Sequence, residues 1–125
     1  MKKALIIKAD GSLPTVREIL SDETTYEVIK ATIASERGDW FDCVRGTRFH
    51  IYVNDTGLID GLPINMIASI VMGQVICGDV IAFGSFSPED EYDGEEHDIP
   101  DWVVKGVRSQ WMLMRENEEA RTVLL

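Results

Sequence analysis

The sequence predicts an α+β domain: a mostly antiparallel sheet of about five strands, packed by two main helices plus one short helix. Three observations carry this expectation. Short apolar runs bounded by turn residues recur through the first two-thirds of the chain. Residues 47–53 alternate between apolar and polar. Two longer stretches repeat apolar residues every three or four positions, as a helix face requires.

Residues 3–8 (KALIIK) form the first strand, Asp10-Gly11 the turn, and Leu13, Pro14, Val16 and Ile19 the second strand. Ser21-Asp22 then offers an N-cap with Glu23 in the first turn, and Tyr26, Ile29 and Ile33 share one helical face up to Ser35, with Gly38 as the stop. Residues 40–45 and 47–53 read as two further strands. In the second of these, Phe49, Ile51 and Val53 alternate with Arg48, His50 and Tyr52, which predicts one buried and one wet face. Asn54-Asp55-Thr56-Gly57 closes it with a turn. After Gly61-Leu62-Pro63, Asn65 caps a short, mostly buried helix over residues 66–72 that Gly73 ends. Residues 76–83 are apolar enough for a central strand, with Gly78-Asp79 as a bend at its start. Both main helices, residues 22–35 and 101–117, are expected on one face of the sheet, and the short helix at one edge.

The 125 residues carry 22 acidic and 12 basic side chains, a formal charge of −10. One domain is expected, because a chain of this size buries roughly two-thirds of its unfolded surface without metals or disulfides as staples. The charge is uneven. Residues 1–86, the expected core, hold 11 acids and 8 bases, whereas residues 87–125 hold 11 acids and 4 bases. Residues 89–98 (EDEYDGEEHD) place seven carboxylates in ten positions, which predicts a solvated or disordered acidic loop over residues 87–100. Pro100-Asp101 then opens a helix in which Val103 or Val104, Val107, Trp111 and Met114 share a face to about residue 117. Gly106 weakens it, so docking on the sheet must hold it, and residues 118–125 read as a frayed tail.

Several function classes are disfavoured on chemistry. Binding to a phosphate backbone draws on clustered Lys and Arg that this acidic chain lacks. The apolar run of MKKALII is too short for a secretory signal, and no stretch reaches membrane-spanning length, so a cytoplasmic protein with no membrane partner is expected. Cys43 and Cys77 have no metal-site spacing and read as core thiols. Nucleophile elbows, phosphate loops and zinc-protease helices are absent. His50, on the polar strand face, reads as a surface residue, and His97 sits among carboxylates that favour its protonated form without fixing its geometry. No enzyme activity, metal or cofactor is therefore expected. Aligning Gly94 with the glycine of an EF-hand loop puts Pro100 where a bidentate Glu is required, so that template fails. Mimicry of DNA by the carboxylates is weakened by their concentration in one short stretch.

Three tryptophans remain. Trp40 and Trp111 read as core, whereas Trp102, between the acidic run and the last helix, is expected to be partly exposed. Trp102 with Glu89, Asp90, Glu91, Asp93, Glu95 and Glu96 makes a candidate partner-binding patch for a host protein with a basic surface. The alternative is a small-molecule or nucleotide site in which Asn54, Asp55 and Asn65 line a polar pocket at the 54–65 turn.

The phrases YVNDTGLIDGLPINMIAS and GQVICGDVIAFG, with ALIIKADGSLPTVREI and WFDCVRG in the same order upstream, resemble a family of small proteins grouped only as a domain of unknown function. That family occurs mainly in phages, mobile elements and some actinobacterial genomes. The resemblance spans roughly residues 3–117, its most specific parts being Gly61-Leu62-Pro63-Ile64-Asn65 and Gly78-Asp79-Val80. It implies an accessory protein working in a bacterial host cell and brings no catalytic residue with it.

Overall fold

The computed structural model describes residues 2–33, 41–46, 48–55, 61–85 and 96–124, with side chains described up to residue 118. In chain order the elements are β1 (Lys2–Ile7), β2 (Thr15–Ile19), α1 (Thr25–Ile33), β3 (Phe41–Arg45), β4 (Phe49–Asn54), α2 (Met66–Met72), β5 (Val80–Gly84) and α3 (Asp101–Leu124). The strands form one sheet in the order β2-β1-β5-β4-β3, every neighbouring pair antiparallel. Two hairpins, β1–β2 and β3–β4, thus flank β5, which takes the central place its apolar content predicts.

The register sets the faces. Leu5 and Ile51 both stand opposite Ala82, while Ile6 and Tyr52 both stand opposite Ile81. On the first face Leu5, Ile7, Ile51, Val53, Val80 and Ala82 pack against Ile67 and Ala68 of α2 and Val103, Val104 and Val107 of α3. On the second, Ala4, Ile81 and Phe83 pack against Val28, Ile29 and Ile33 of α1, with Phe41 and Tyr52 alongside. The two main helices therefore lie on opposite faces, which corrects the one-face arrangement. The reason lies in β5: Val80, Ile81, Ala82 and Phe83 are all buried, so neither face is available to water and each needs its own cover.

Element boundaries shift for local reasons. Helix α1 starts at Thr25 because the Thr24 hydroxyl accepts from Glu27 N at 3.2 Å; Ser21-Asp22 does not cap it. Glu23 is drawn away, accepting from Arg17 at 2.7 and 3.0 Å and from Leu20 N at 3.0 Å. The Arg17 hydrogen bond, helped by Leu20, lowers its pKa to about 2. Residues 34–40, 47 and 56–60, including Trp40 and the expected helix stop at Gly38, lie outside the described residues. Strand β5 begins at Val80 because Gly78 turns the chain with φ +85, leaving Cys77 in an isolated bridge to Ile64. Helix α3 continues to Leu124, past the expected end at 117 and through the expected frayed tail. Helix α2 is less buried than predicted: Ile67 and Ala68 are covered, while Met66 and Ile70 are about half exposed. Cys77 is buried and Cys43 partly so, and both are free thiols. No described helix is long and apolar enough to cross a membrane.

Asn65 does more than cap. Its Oδ1 accepts from Ala68 N at 3.1 Å, and its Nδ2 donates to Ile7 O at 2.8 Å and Gly78 O at 3.0 Å, all with no solvent exposure. One side chain ties β1, the bend before β5 and the start of α2 together. Asp caps a helix as well as Asn does, but it has no N–H for the two carbonyls. Asn65→Asp is therefore expected to lose about 2–4 kcal/mol in urea unfolding, no less than Asn65→Ala. Wild-type stability in the Asp variant would reduce Asn65 to a cap.

Candidate functional site

Strand β4 puts His50 and Tyr52 two residues apart, hence on the same face, the one α1 covers. Because that face is buried, so is His50, at 7% exposure, with its ring roughly parallel to Phe83 at 6.3 Å. This corrects the reading of His50 as a surface histidine. A buried imidazole must satisfy both nitrogens. Nδ1 lies 2.9 Å from Ser85 Oγ, just past the end of β5, and Nε2 lies 2.6 Å from Glu96 Oε2. The Tyr52 hydroxyl donates to the other oxygen, Glu96 Oε1.

The chain after Glu96 crosses the end of the sheet. Gly84 N donates to His97 O at 3.0 Å, Lys3 N donates to Asp98 Oδ1 at 2.9 Å, and Ile99 N donates to Lys3 O at 2.8 Å. It thereby passes from the α1 face over β5 and β1 to the α3 face, where Ile99 joins the core. Gly84 is required for this passage, since a Cβ there would overlap the Asp98 carbonyl oxygen.

Burial alone would raise the Glu96 pKa, but hydrogen bonds from His50 and Tyr52, with the charges of His50 and Lys2, outweigh it and hold the carboxyl below its ordinary value. Glu96 thus stays an anion at the edge of a cleft of about 690 Å³ between the sheet and the start of α1. Lys2, Glu23, Tyr26, Phe41 and Tyr52 line the same cleft. Its rings pack in series, Tyr26 tilted against Phe41 at 5.7 Å and Phe41 edge to face with Tyr52 at 5.5 Å.

Ser85, His50 and Glu96 have the connectivity of an acyl-transfer triad, but the ring is reversed, with serine on Nδ1 and carboxylate on Nε2. Glu96 borders the cleft, whereas Ser85 and His50 do not. The geometry is that of a fastening between β4, the end of β5 and residue 96. Among the described residues no group of three His, Cys, Asp or Glu is placed to hold a metal ion.

The other sequence-predicted residues are scattered. Glu89, Asp90, Glu91, Asp93 and Glu95 lie outside the described residues. Trp102 is 58% exposed in the first turn of α3, while Trp111 packs at the core margin and donates to Gly11 O at 2.8 Å. Asn54 and Asp55 border a hollow of about 180 Å³ with residues 74–77. Asn65 borders a different hollow, of about 190 Å³, beside Trp111. Among the described residues, Asn54 and Asp55 thus border a different hollow from Asn65. Asn54 Nδ2 donates to Ile33 O at 3.4 Å, and the amide of Asn65 is committed to backbone. Tyr52, Tyr26 and Lys2 were not picked out as site residues. The usable signal was His50 and Tyr52 at strand spacing beside a segment apolar on both faces.

A family model described as a domain of unknown function, DUF3846, matches residues 1–110, and the chain belongs to that family. The match takes in all five strands, α1, α2 and the first part of α3. No curated protein and no solved structure matches the chain.

Because the folded pKa of Glu96 lies below its ordinary 4.5, its ionised form adds stability above that pH and loses it as pH falls through the lower folded value. Glu96→Gln is expected to be about 1–2 kcal/mol less stable than wild type at pH 7, with the gap narrowing at pH 3. Urea midpoints of both proteins at the two pH values check this. A gap of constant size would mean that Glu96 is not fastened as an anion.

Proposed function

We propose that the protein is a non-enzymatic accessory protein of phage or mobile-element origin that binds and modulates a host macromolecule in the bacterial cytoplasm. The partner is a nucleic-acid-handling or defence protein with a basic surface, engaged by the acidic segment 87–100 and Trp102. One observation carries the reading: Ser85, before the most acidic stretch, and Glu96, near its end, are hydrogen-bonded to the same buried imidazole. The carboxylates between them belong to a segment anchored at both ends on the sheet. Concentrated charge of one sign accelerates association with a basic partner and makes it salt-dependent. Exposed Trp102, six residues beyond Glu96, supplies the aromatic anchor typical of interface hot spots.

A second reading, small-molecule or nucleotide binding, is favoured by the size of the cleft beside Glu96 and not by the 54–65 turn. A nucleotide held there at a hundred times its dissociation constant adds about 2.7 kcal/mol to stability.

Replacing Glu89, Asp90, Glu91 and Asp93 together by Ser is expected to leave the melting temperature within about 2 °C of wild type while abolishing capture of a basic protein from bacterial lysate at low salt. Capture that survives the four changes would make the acidic run a solubility device.

A further inference from the structure

We propose that the cleft beside Glu96 receives the guanidinium of an arginine side chain presented by the basic partner. The inference rests on the reading of the protein as a binder of basic macromolecules and names the group that its cleft recognises.

The first argument is the carboxylate. Glu96 is held by a donor on each oxygen, His50 Nε2 at 2.6 Å and the Tyr52 hydroxyl, and its side chain is 20% exposed. Each carboxylate oxygen has two acceptor sites, so each can accept a further bond beside these. A planar carboxylate suits the planar donor fork of a guanidinium, which forms bidentate bonds that a lysine ammonium cannot.

The second argument is the wall. Tyr26, Phe41 and Tyr52 line the cleft, and aromatic faces attract cations through their quadrupole. Tyr26 already attracts one: Lys30 Nζ sits 5.3 Å from its ring centre. A guanidinium is more weakly hydrated than an ammonium and stacks on such rings, so it enters a half-apolar cleft at lower cost. The volume of about 690 Å³ exceeds what one side chain needs and leaves room for flanking peptide.

The third argument is charge. Glu23 in the same cleft is neutralised by Arg17, so Glu96 supplies the anion that the ligand meets. Lys2 also lines the cleft and favours the charged form of Glu96, which places a native cation where the ligand's positive charge belongs. An incoming guanidinium competes with Lys2. An anionic ligand would lie against the Glu96 carboxylate, and the chain's net charge of −10 opposes its approach.

The test is an NMR titration of the full chain with N-acetyl-arginine amide, N-acetyl-lysine amide and adenosine monophosphate, read at the rings of Tyr26, Phe41 and Tyr52 and at the Glu96 carboxyl carbon. Saturable shifts are expected with the arginine amide, at least tenfold weaker with the lysine amide and absent with the nucleotide. Glu96→Gln is expected to weaken arginine binding tenfold or more and Lys2→Ala to tighten it severalfold, with amide spectra elsewhere unchanged. Tyr26→Ala, at a half-exposed ring, is expected to weaken binding without cost to folding. Equal response to arginine and lysine, unaltered binding in Glu96→Gln, or shifts caused by the nucleotide and not by arginine would overturn the proposal. The variant with four serines separates the two readings. Partner capture lost with arginine binding kept supports both. Partner capture kept in that variant defeats the acidic-segment reading alone, and partner capture in wild type without arginine binding defeats the cleft alone.

Discussion

A buried imidazole with two nitrogens to satisfy organises one end of this molecule. His50 has little solvent to turn to, and the groups that answer it come from elsewhere in the chain, Ser85 just past β5 and Glu96 within the acidic stretch. Leaving either nitrogen unmet costs about 1–3 kcal/mol, a penalty that the bonds to Ser85 and Glu96 avoid. The backbone bonds at His97 and Ile99 and the passage over Gly84 continue the same fastening and lead the chain to α3 on the opposite face. The site and the fold share one interaction here.

Local chemistry made much of the fold legible from the residues alone. The β1–β2 hairpin, the cap and stop of α2 at Asn65 and Gly73, and the central place of β5 each follow from signals within a few positions. Distant pairings were not legible. The alternation in β4 looked like core against water, but its second face lies under α1, and no local feature of residues 49–54 reports a helix packed there. Asn65 was readable as a cap through Ala68, three residues away, whereas its bond to Ile7 spans 58 positions.

The candidate site was half legible for the same reason. Glu96 stands in a run of carboxylates and is locally indistinguishable from Glu95; only its reach to His50, 46 positions earlier, sets it apart. Trp102 was expected to be exposed and is. At the 54–65 turn the two asparagines have different obligations: Asn65 serves backbone carbonyls, and Asn54 bonds Ile33 O. The concave surface described lies between the sheet and the start of α1, beside the charge that His50 holds in place.

The most direct measurement is the nitrogen-15 spectrum of the His50 ring in wild type and in Glu96→Gln. With Nε2–H donating to Glu96, the ring is expected to show a slowly exchanging Nε2 proton that speeds up when Glu96 is replaced. A rapidly exchanging ring proton, unchanged by the substitution, would show a histidine that holds nothing. The fastening, and with it the anchored acidic segment and the oriented carboxylate of the cleft, would then be contradicted.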